Sequence, residues 1–249
     1  MTERHAGVSD LGISTDHAPG GPPAGPDPRD ELAAALRRVI AATVAAPVRD
    51  DDIRAATVAA EALADQLEQA AGPGRRPRSQ PDPAGDPQAF FPTSPVIGYA
   101  NPLAPPVHLE AVDGALHGTA YFDVQYEGPP TCVHGGVIAL VFDEMLGSAN
   151  ILAGNPAMTG TLTIRYRQPT PLRAELRLEA RCDRRDGRKI YTTGEIYHGN
   201  VLTAEAEGVF IELRPDRFLS IVSRSGSPEL AEQLQADARR LGLTGPPDA

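Results

Sequence analysis

The chain has no tryptophan, only two cysteines, and a single lysine, Lys189, among its 23 basic residues. Cys132 and Cys182 form no CxxC pair and show no metal-ligand spacing, so neither a disulfide framework nor a zinc site is expected, and a reducing, cytoplasmic setting is the simplest one. The six histidines (His5, His17, His108, His117, His134 and His198) are scattered without an HxxxH or HExxH pattern; no metal and no other cofactor is expected. The net charge of −10 argues against a general nucleic-acid binder, because phosphate backbones call for clustered Lys and Arg. No stretch approaches the roughly 18–20 apolar residues of a membrane-spanning helix. The N-terminus lacks a basic start followed by an apolar run, so no secretory signal is expected either.

What is present suits one sizeable domain with appendages: 249 residues, 41% of them apolar and 22% charged. Residues 1–29 are rich in Gly, Pro and Asp and read as disordered. Residues 30–71 read as a helical extension. Leu32, Leu36, Val39, Ile40, Thr43 and Val44 share one face, Pro47 breaks the run, and Asp50 or Asp51 can cap a second helix carrying Ile53, Thr57, Ala60, Leu63, Ala64 and Leu67 on one stripe. This pair is either a lid on the main domain or a dimerisation or docking element. Residues 72–95 read as a proline-rich linker, residues 96–214 as the main domain, and residues 215–249 as a tail with a short charged helix over Pro228–Leu241.

Within the main domain, 107–112 and 115–123 read as strands joined by the Asp113-Gly114 turn. A helix is predicted from His134 to Ala153, ended by Gly154-Asn155-Pro156. Four strands follow over 159–167, 174–183, 188–198 and 201–213, with Asp186-Gly187 as a second hairpin signal. In the first of these, Thr159, Thr161, Thr163 and Arg165 alternate with Leu162, Ile164 and Tyr166. The fold class is α+β: an antiparallel sheet wrapped around a long central helix that is oily nearly all round, with an N-terminal helical extension.

The helix opens with His134-Gly135-Gly136 and carries an acid pair, Asp143-Glu144, in its apolar middle. Glycines there are poor helix formers, and a buried carboxylate is costly unless something compensates. At the helix start, however, unsatisfied N–H groups, a close-approach backbone and the helix dipole together suit a carbonyl oxygen that becomes negative. A carboxylate supplies a nucleophile or a base for water. Gly135 and Asp143 are eight residues apart, roughly 12 Å along a helix, too far to act on one carbonyl. Two copies with antiparallel helices across a two-fold axis would bring Gly135 of one beside Asp143 of the other. On pattern alone either acid could serve. Gly136, Asp143, Gly147 and Asn150 form a stripe with room for a ligand, while Glu144 shares its stripe with Val137, Val141 and Ser148; a plain acid–arginine pair is the structural alternative.

His-Gly-Gly, an apolar run and an acid nine positions after the His resemble the hotdog-fold acyl-CoA thioesterases of the PaaI-like kind and the mammalian thioesterase-superfamily members with the same motif. The resemblance covers about 96–213. It includes Gly128-Pro129-Pro130, Met158-Thr159, the strand Leu162–Tyr166 with Pro169, and the Gly187-Arg188-Lys189 turn. It implies a homodimer or a dimer of dimers that hydrolyses an acyl-CoA thioester at the subunit interface without a cofactor. By position Asp143 matches the catalytic carboxylate, and a backbone amide at Gly135 or Gly136 the group that polarises the thioester oxygen. His134 matches a residue that orients substrate or loop, and Thr159 one that holds the nucleophile or water. Glu144 and Asn150, and Arg165, Arg188 and Lys189 toward the CoA phosphates, are candidates for substrate binding. Some PaaI-type enzymes carry Asn six residues before the His; here that position is Gly128. Two other readings compete: a non-catalytic acyl-CoA binder or sensor, and an acyl-thioester hydratase or dehydratase. The latter would place a His about five residues after the Asp, where Ser148 stands.

Overall fold

The Asp113-Gly114 signal is realised as a tight turn in which both residues have positive φ (52° and 79°), the geometry of a hairpin whose twist matches its strands. It joins strand β1 (Val107–Val112) to β2 (Ala115–Tyr121). In the computed structural model the described residues are 27–45, 47–71, 88, 91–155 and 157–212. A short 3-10 turn (Val124–Tyr126) follows β2, then helix α3 (Gly135–Leu152). After it come β3 (Ala157–Tyr166), β4 (Glu175–Asp186), β5 (Lys189–His198) and β6 (Val201–Glu212). All six strands form one antiparallel sheet in the order β1-β2-β4-β5-β6-β3. The expected sheet around a central helix is what the chain builds, and it is the hotdog arrangement.

Sheet and helix meet through alternate strand residues. Leu176, Leu178 and Ala180 of β4, Ile190 and Ile196 of β5, and Ala204, Ala206 and Phe210 of β6 are buried against Ile138, Val141, Phe142, Met145, Leu146 and Ala149 of α3. Each fully buried Leu, Ile or Phe side chain stabilises the fold by about 1.5–3 kcal/mol. Glycines let the helix come close. A Cβ at Gly194 would lie 2.6 Å from Met145 Cε and 3.0 Å from Leu146 Cδ2, and one at Gly208 would lie 2.4 Å from Phe210 Cε2.

Among the described residues, α3 is the one helix long and apolar enough to cross a membrane, contrary to the expectation that no stretch approaches a span. Its apolar character has another use here, since β2, β3, β4, β5 and β6 all pack on it. The wrapping is nevertheless incomplete. Gly136, Leu140, Asp143 and Ile151 are exposed along one stripe, with Gly147 half-buried on it. Beside that stripe runs β3, an edge strand with mostly exposed side chains, Met158 and Tyr166 among them. Among the described residues no strand pairs with its outer edge.

The folded body begins earlier than the expected boundary at 96. Gln88 is fully buried, its Nε2 donating to the carbonyls of Ile97 and Val107 and its Oε1 accepting from Leu109 N–H. Tyr99 hydroxyl reaches Gln88 and His108, covering the β1 edge. Helix α1 (Pro28–Ala45) starts two residues ahead of the predicted 30. It packs on the domain through buried Ala33 and an Arg37 Nη1 hydrogen bond to Asn101 O at 3.0 Å. Helix α2 (Asp50–Ala70) buries none of its residues, so only half of the helical pair behaves as a packed lid. The predicted disordered segment up to residue 26, residues 72–87 of the linker and the tail helix lie outside the described residues.

Candidate active site

Residue His134 is the N-cap of α3, not its first helical residue. Its backbone is extended (φ −60°, ψ 132°), and its ring Nδ1 accepts the Gly136 N–H at 2.9 Å. An accepting Nδ1 carries no proton, which puts the N–H of the neutral ring at Nε2. It also occupies the Gly136 amide. The Gly135 N–H, at the first helical position, has no intrahelical carbonyl to reach and no acceptor among the described residues. Of the two candidate amides, Gly135 is the one left to polarise an oxygen.

The loop before the cap is held at both ends. His134 N–H donates to Tyr126 O at 2.8 Å, Val133 N–H to Thr170 O at 2.9 Å, and Gly128 N–H to Cys132 O at 2.9 Å. A Cβ at Gly128 would lie 2.7 Å from His134 Cα, so the backbone approach that seats the histidine excludes a side chain there. The missing Asn is therefore a steric consequence of how this loop packs. Cys132 is half-buried in the same loop.

Asp143 stands on the bare stripe of α3 and accepts a hydrogen bond from Thr159 Oγ1 at 2.7 Å. Strand alternation alone would not deliver that contact. Thr159 pairs with Phe210 and Thr161 with Val209, so Gly160 is an extra residue, a β-bulge. The bulge puts Thr159 on the helix side with Phe210, whereas Thr161, Thr163 and Arg165 take the opposite face. The predicted common face for Thr159 and Arg165 is corrected accordingly. At the other end of β3, Tyr166 hydroxyl donates to Gly135 O at 2.8 Å. One edge strand thus touches both ends of the candidate machinery. Tyr166 was not among the site candidates because in sequence it reads as one more strand residue.

The other candidates divide. Glu144, next to Asp143, is half-buried and takes a hydrogen bond from Ser94, whose oxygen in turn accepts the N–H groups of Val96 and Ile97. Burial holds its carboxyl above the usual range; the Ser94 bond opposes that and the neighbouring Asp143 charge adds to it. Glu144 therefore latches the 91–97 segment to α3. Asn150 does not open onto the stripe. It is fully buried, and neither its Nδ2 nor its Oδ1 has a partner among the described residues. Arg165 lies on the outer sheet face, paired with Glu207 at 2.5 Å and Glu205 at 3.7 Å. Arg188 and Lys189 sit at the β4–β5 turn; Lys189 is level with Ile211 of β6 and hence with Met158, at the Thr159 end of the sheet. Two cavities, of about 340 and 150 Å³, open near α1; neither is lined by Gly135, Asp143 or Thr159. Among the described residues no group of three His, Cys, Asp or Glu side chains is placed to hold a metal.

The chain has counterparts among known proteins. The family model described as "Thioesterase superfamily" matches residues 131–205, which include His134, Gly135, Asp143, Thr159 and Tyr166. A crystal structure of a thioesterase superfamily protein is 34% identical, with a TM-score of 0.68, over 77% of this chain and 94% of that one. This chain belongs to the thioesterase superfamily. Curated members similar to it include "Acyl-coenzyme A thioesterase THEM4" of Xenopus laevis, 34% identical over 36% of this chain and 41% of that protein. "Acyl-coenzyme A thioesterase THEM5" of Homo sapiens is 30% identical over 35% and 36% respectively. The chain thus spans about two fifths of the length of the curated relatives it matches.

Proposed function

We propose that the protein is an acyl-CoA thioesterase that works as a homodimer, or a dimer of dimers, with its site shared between subunits. The observation that carries this is the bare stripe of α3. It presents a carboxylate held by a hydroxyl, Asp143 with Thr159, and a helix-start amide, Gly135, that has no acceptor among the described residues. They lie eight residues apart, roughly 12 Å, on a helix that is otherwise core. A second copy laid antiparallel along the exposed stripe and the unpaired β3 edge brings Gly135 of one helix to Asp143 of the other. The names of the curated relatives support the acyl-CoA substrate.

In this reading the Gly135 N–H, aided by the positive end of the α3 dipole, binds the thioester oxygen as it becomes negative. The His134 ring, fixed at the helix cap through its Nδ1, orients the substrate. Asp143 takes a proton from water as the water oxygen attacks the carbonyl carbon, or attacks that carbon itself to give an anhydride that water then opens. Either way the C–S bond breaks, the thiol leaves, and one water is consumed for each carboxylate and free CoA formed. Thr159 fixes the carboxylate in either route.

The test is thiol release from short, medium, long and aryl acyl-CoAs, wild type beside Asp143→Asn. Release that depends on Asp143 is the expected result, and unchanged release from the variant would refute the assignment. The shared site is checked by mixing Asp143→Ala with Gly135→Pro chains. Proline is tolerated at the first helical position and lacks the N–H. Each confirmed heterodimer should regain one of its two sites; inactive heterodimers would overturn the shared arrangement.

A further inference from the structure

Helix α2 exposes a face that a chain standing alone has no use for. Ile53, Ala56, Ala60, Leu63, Leu67 and Ala70 recur at spacings of three and four, the a/d pattern of a coiled-coil seam. None of them is buried; Ile53 is 41% and Leu67 45% exposed. The residues flanking the seam over most of its length, Thr57, Ala59, Ala64 and Gln66, are small or uncharged. The order of sizes along it is large, small, small, large, large, small. Read backwards, the series becomes its own complement: Ile53 faces Ala70, Ala56 faces Leu67, and Ala60 faces Leu63. Side by side in the same direction, large would meet large and small meet small, leaving clashes and gaps.

Charge points the same way. Helix α2 holds six carboxylates against one arginine, with Asp50, Asp51 and Asp52 in its first turn. A parallel pair would set these three against their own copies. An antiparallel pair sets the two acidic first turns at opposite ends of the seam, apart from each other.

We propose that α2 is a self-association surface: it pairs antiparallel with α2 of a second copy of this chain about a two-fold axis near residues 61 and 62. This contact is separate from the α3–β3 surface and does not depend on the thioesterase reading. If both surfaces are used, a closed or extended assembly larger than a dimer follows; if α2 alone is used, a dimer follows.

The full-length protein carries the test, by sedimentation equilibrium and by spin-label distances. Leu63→Lys with Leu67→Lys places two charges in the seam and should lower the assembly mass by one association step, with helix content and the thermal transition of the main domain retained. An unchanged mass overturns the proposal. Spin labels on introduced cysteines, with Cys132 and Cys182 replaced by Ser, report orientation. Labels at Glu61 should give a short inter-chain distance, and labels at Arg54 should be offset by about 22 Å along the axis, fifteen residues at 1.5 Å each. Short distances at both sites would mean a parallel pair, and no inter-chain distance at either would mean that α2 is covered by its own chain or left bare; each of these outcomes refutes antiparallel self-pairing.

Discussion

Replacing Thr159 by Val tests whether the bulge at Gly160 serves the site. Valine keeps the shape and the strand preference of threonine and deletes only the hydroxyl that donates to Asp143 at 2.7 Å. A hydrogen bond to a charged group is worth about 1.5–3 kcal/mol. At about 1.4 kcal/mol per tenfold, that range corresponds to a loss of roughly 10- to 150-fold in kcat if the bond orients the reacting carboxylate. Both side chains are exposed in the single chain, which favours the lower end; coverage by a second copy would move the loss toward the upper end. KM should stay within about twofold, because the hydroxyl acts on Asp143 and not on bound acyl-CoA. Stability should change by no more than about 0.5 kcal/mol, since Thr159 supports no core contact. The assay is steady-state thiol release with the best acyl-CoA of the panel, alongside thermal unfolding and Thr159→Ser, which should recover most of the rate. A Thr159→Val enzyme within twofold of wild-type kcat would refute the claim that the bulge positions the Asp143 carboxylate for the reaction.

Three further perturbations address other contacts. Tyr166→Phe removes the donor to Gly135 O, a bond worth about 1 kcal/mol; it should lower kcat/KM by roughly fivefold and speed amide exchange at the start of α3, as read by kinetics and hydrogen exchange. Gly208→Ala would bring a Cβ to 2.4 Å from the Phe210 ring and 2.8 Å from Thr192 Oγ1, costing about 1–3 kcal/mol of stability in urea denaturation with the assembly mass unchanged. Glu144→Gln should change the pH dependence of stability. The native carboxyl is held above its ordinary range, so the folded state keeps its proton more tightly than the unfolded one, and the contribution is full below the unfolded pKa and fades as pH rises through the raised one. The variant lacks that decline, and its denaturation midpoint relative to wild type should rise with pH across the window. A constant difference would show that Glu144 does not titrate as the buried latch requires.

Element boundaries were legible because local chemistry fixes them. His134 predicted the start of α3 and caps it, and the Asp113-Gly114 and Asp186-Gly187 signals fell on turns with positive φ. The side-chain directions that make the site were not legible. Period-two reading carried Thr159 onto the face of Arg165, since nothing in Met158-Thr159-Gly160-Thr161 separates a bulge from a regular strand with a glycine in it. Ser94 fell within a proline-rich stretch read as linker, and its tie to Glu144 spans fifty residues of sequence. Helical periodicity put Asn150 with Asp143, yet it is sealed from solvent. Periodicity gives the angle of a residue around its helix and says nothing about what else packs there.

The largest departure concerns how much of α3 the sheet covers. The sequence makes the helix oily nearly all round, yet the chain leaves Leu140 44% and Ile151 40% exposed on the stripe that holds Asp143, with Met158 at 53% and Tyr166 at 54% on the adjoining edge. Isolated apolar residues on a surface need no explanation, but a contiguous set along a bare helix stripe and an unpaired strand edge does. The same feature answers the puzzle of the acid. Within one chain Asp143 is exposed, so it needs no buried counter-charge, and among the described residues Thr159 holds it. Any surface that covers Leu140 and Ile151 must also approach Asp143, and it has to bring a polar group or leave room for water and substrate there. A second copy of the stripe meets both requirements, since its Gly136, Gly147 and the N–H of Gly135 supply space and a donor where the carboxylate stands. In the proposed dimer the apolar excess of α3 and its exposed carboxylate have one cause: the helix is sequenced for a neighbour as well as for its own sheet.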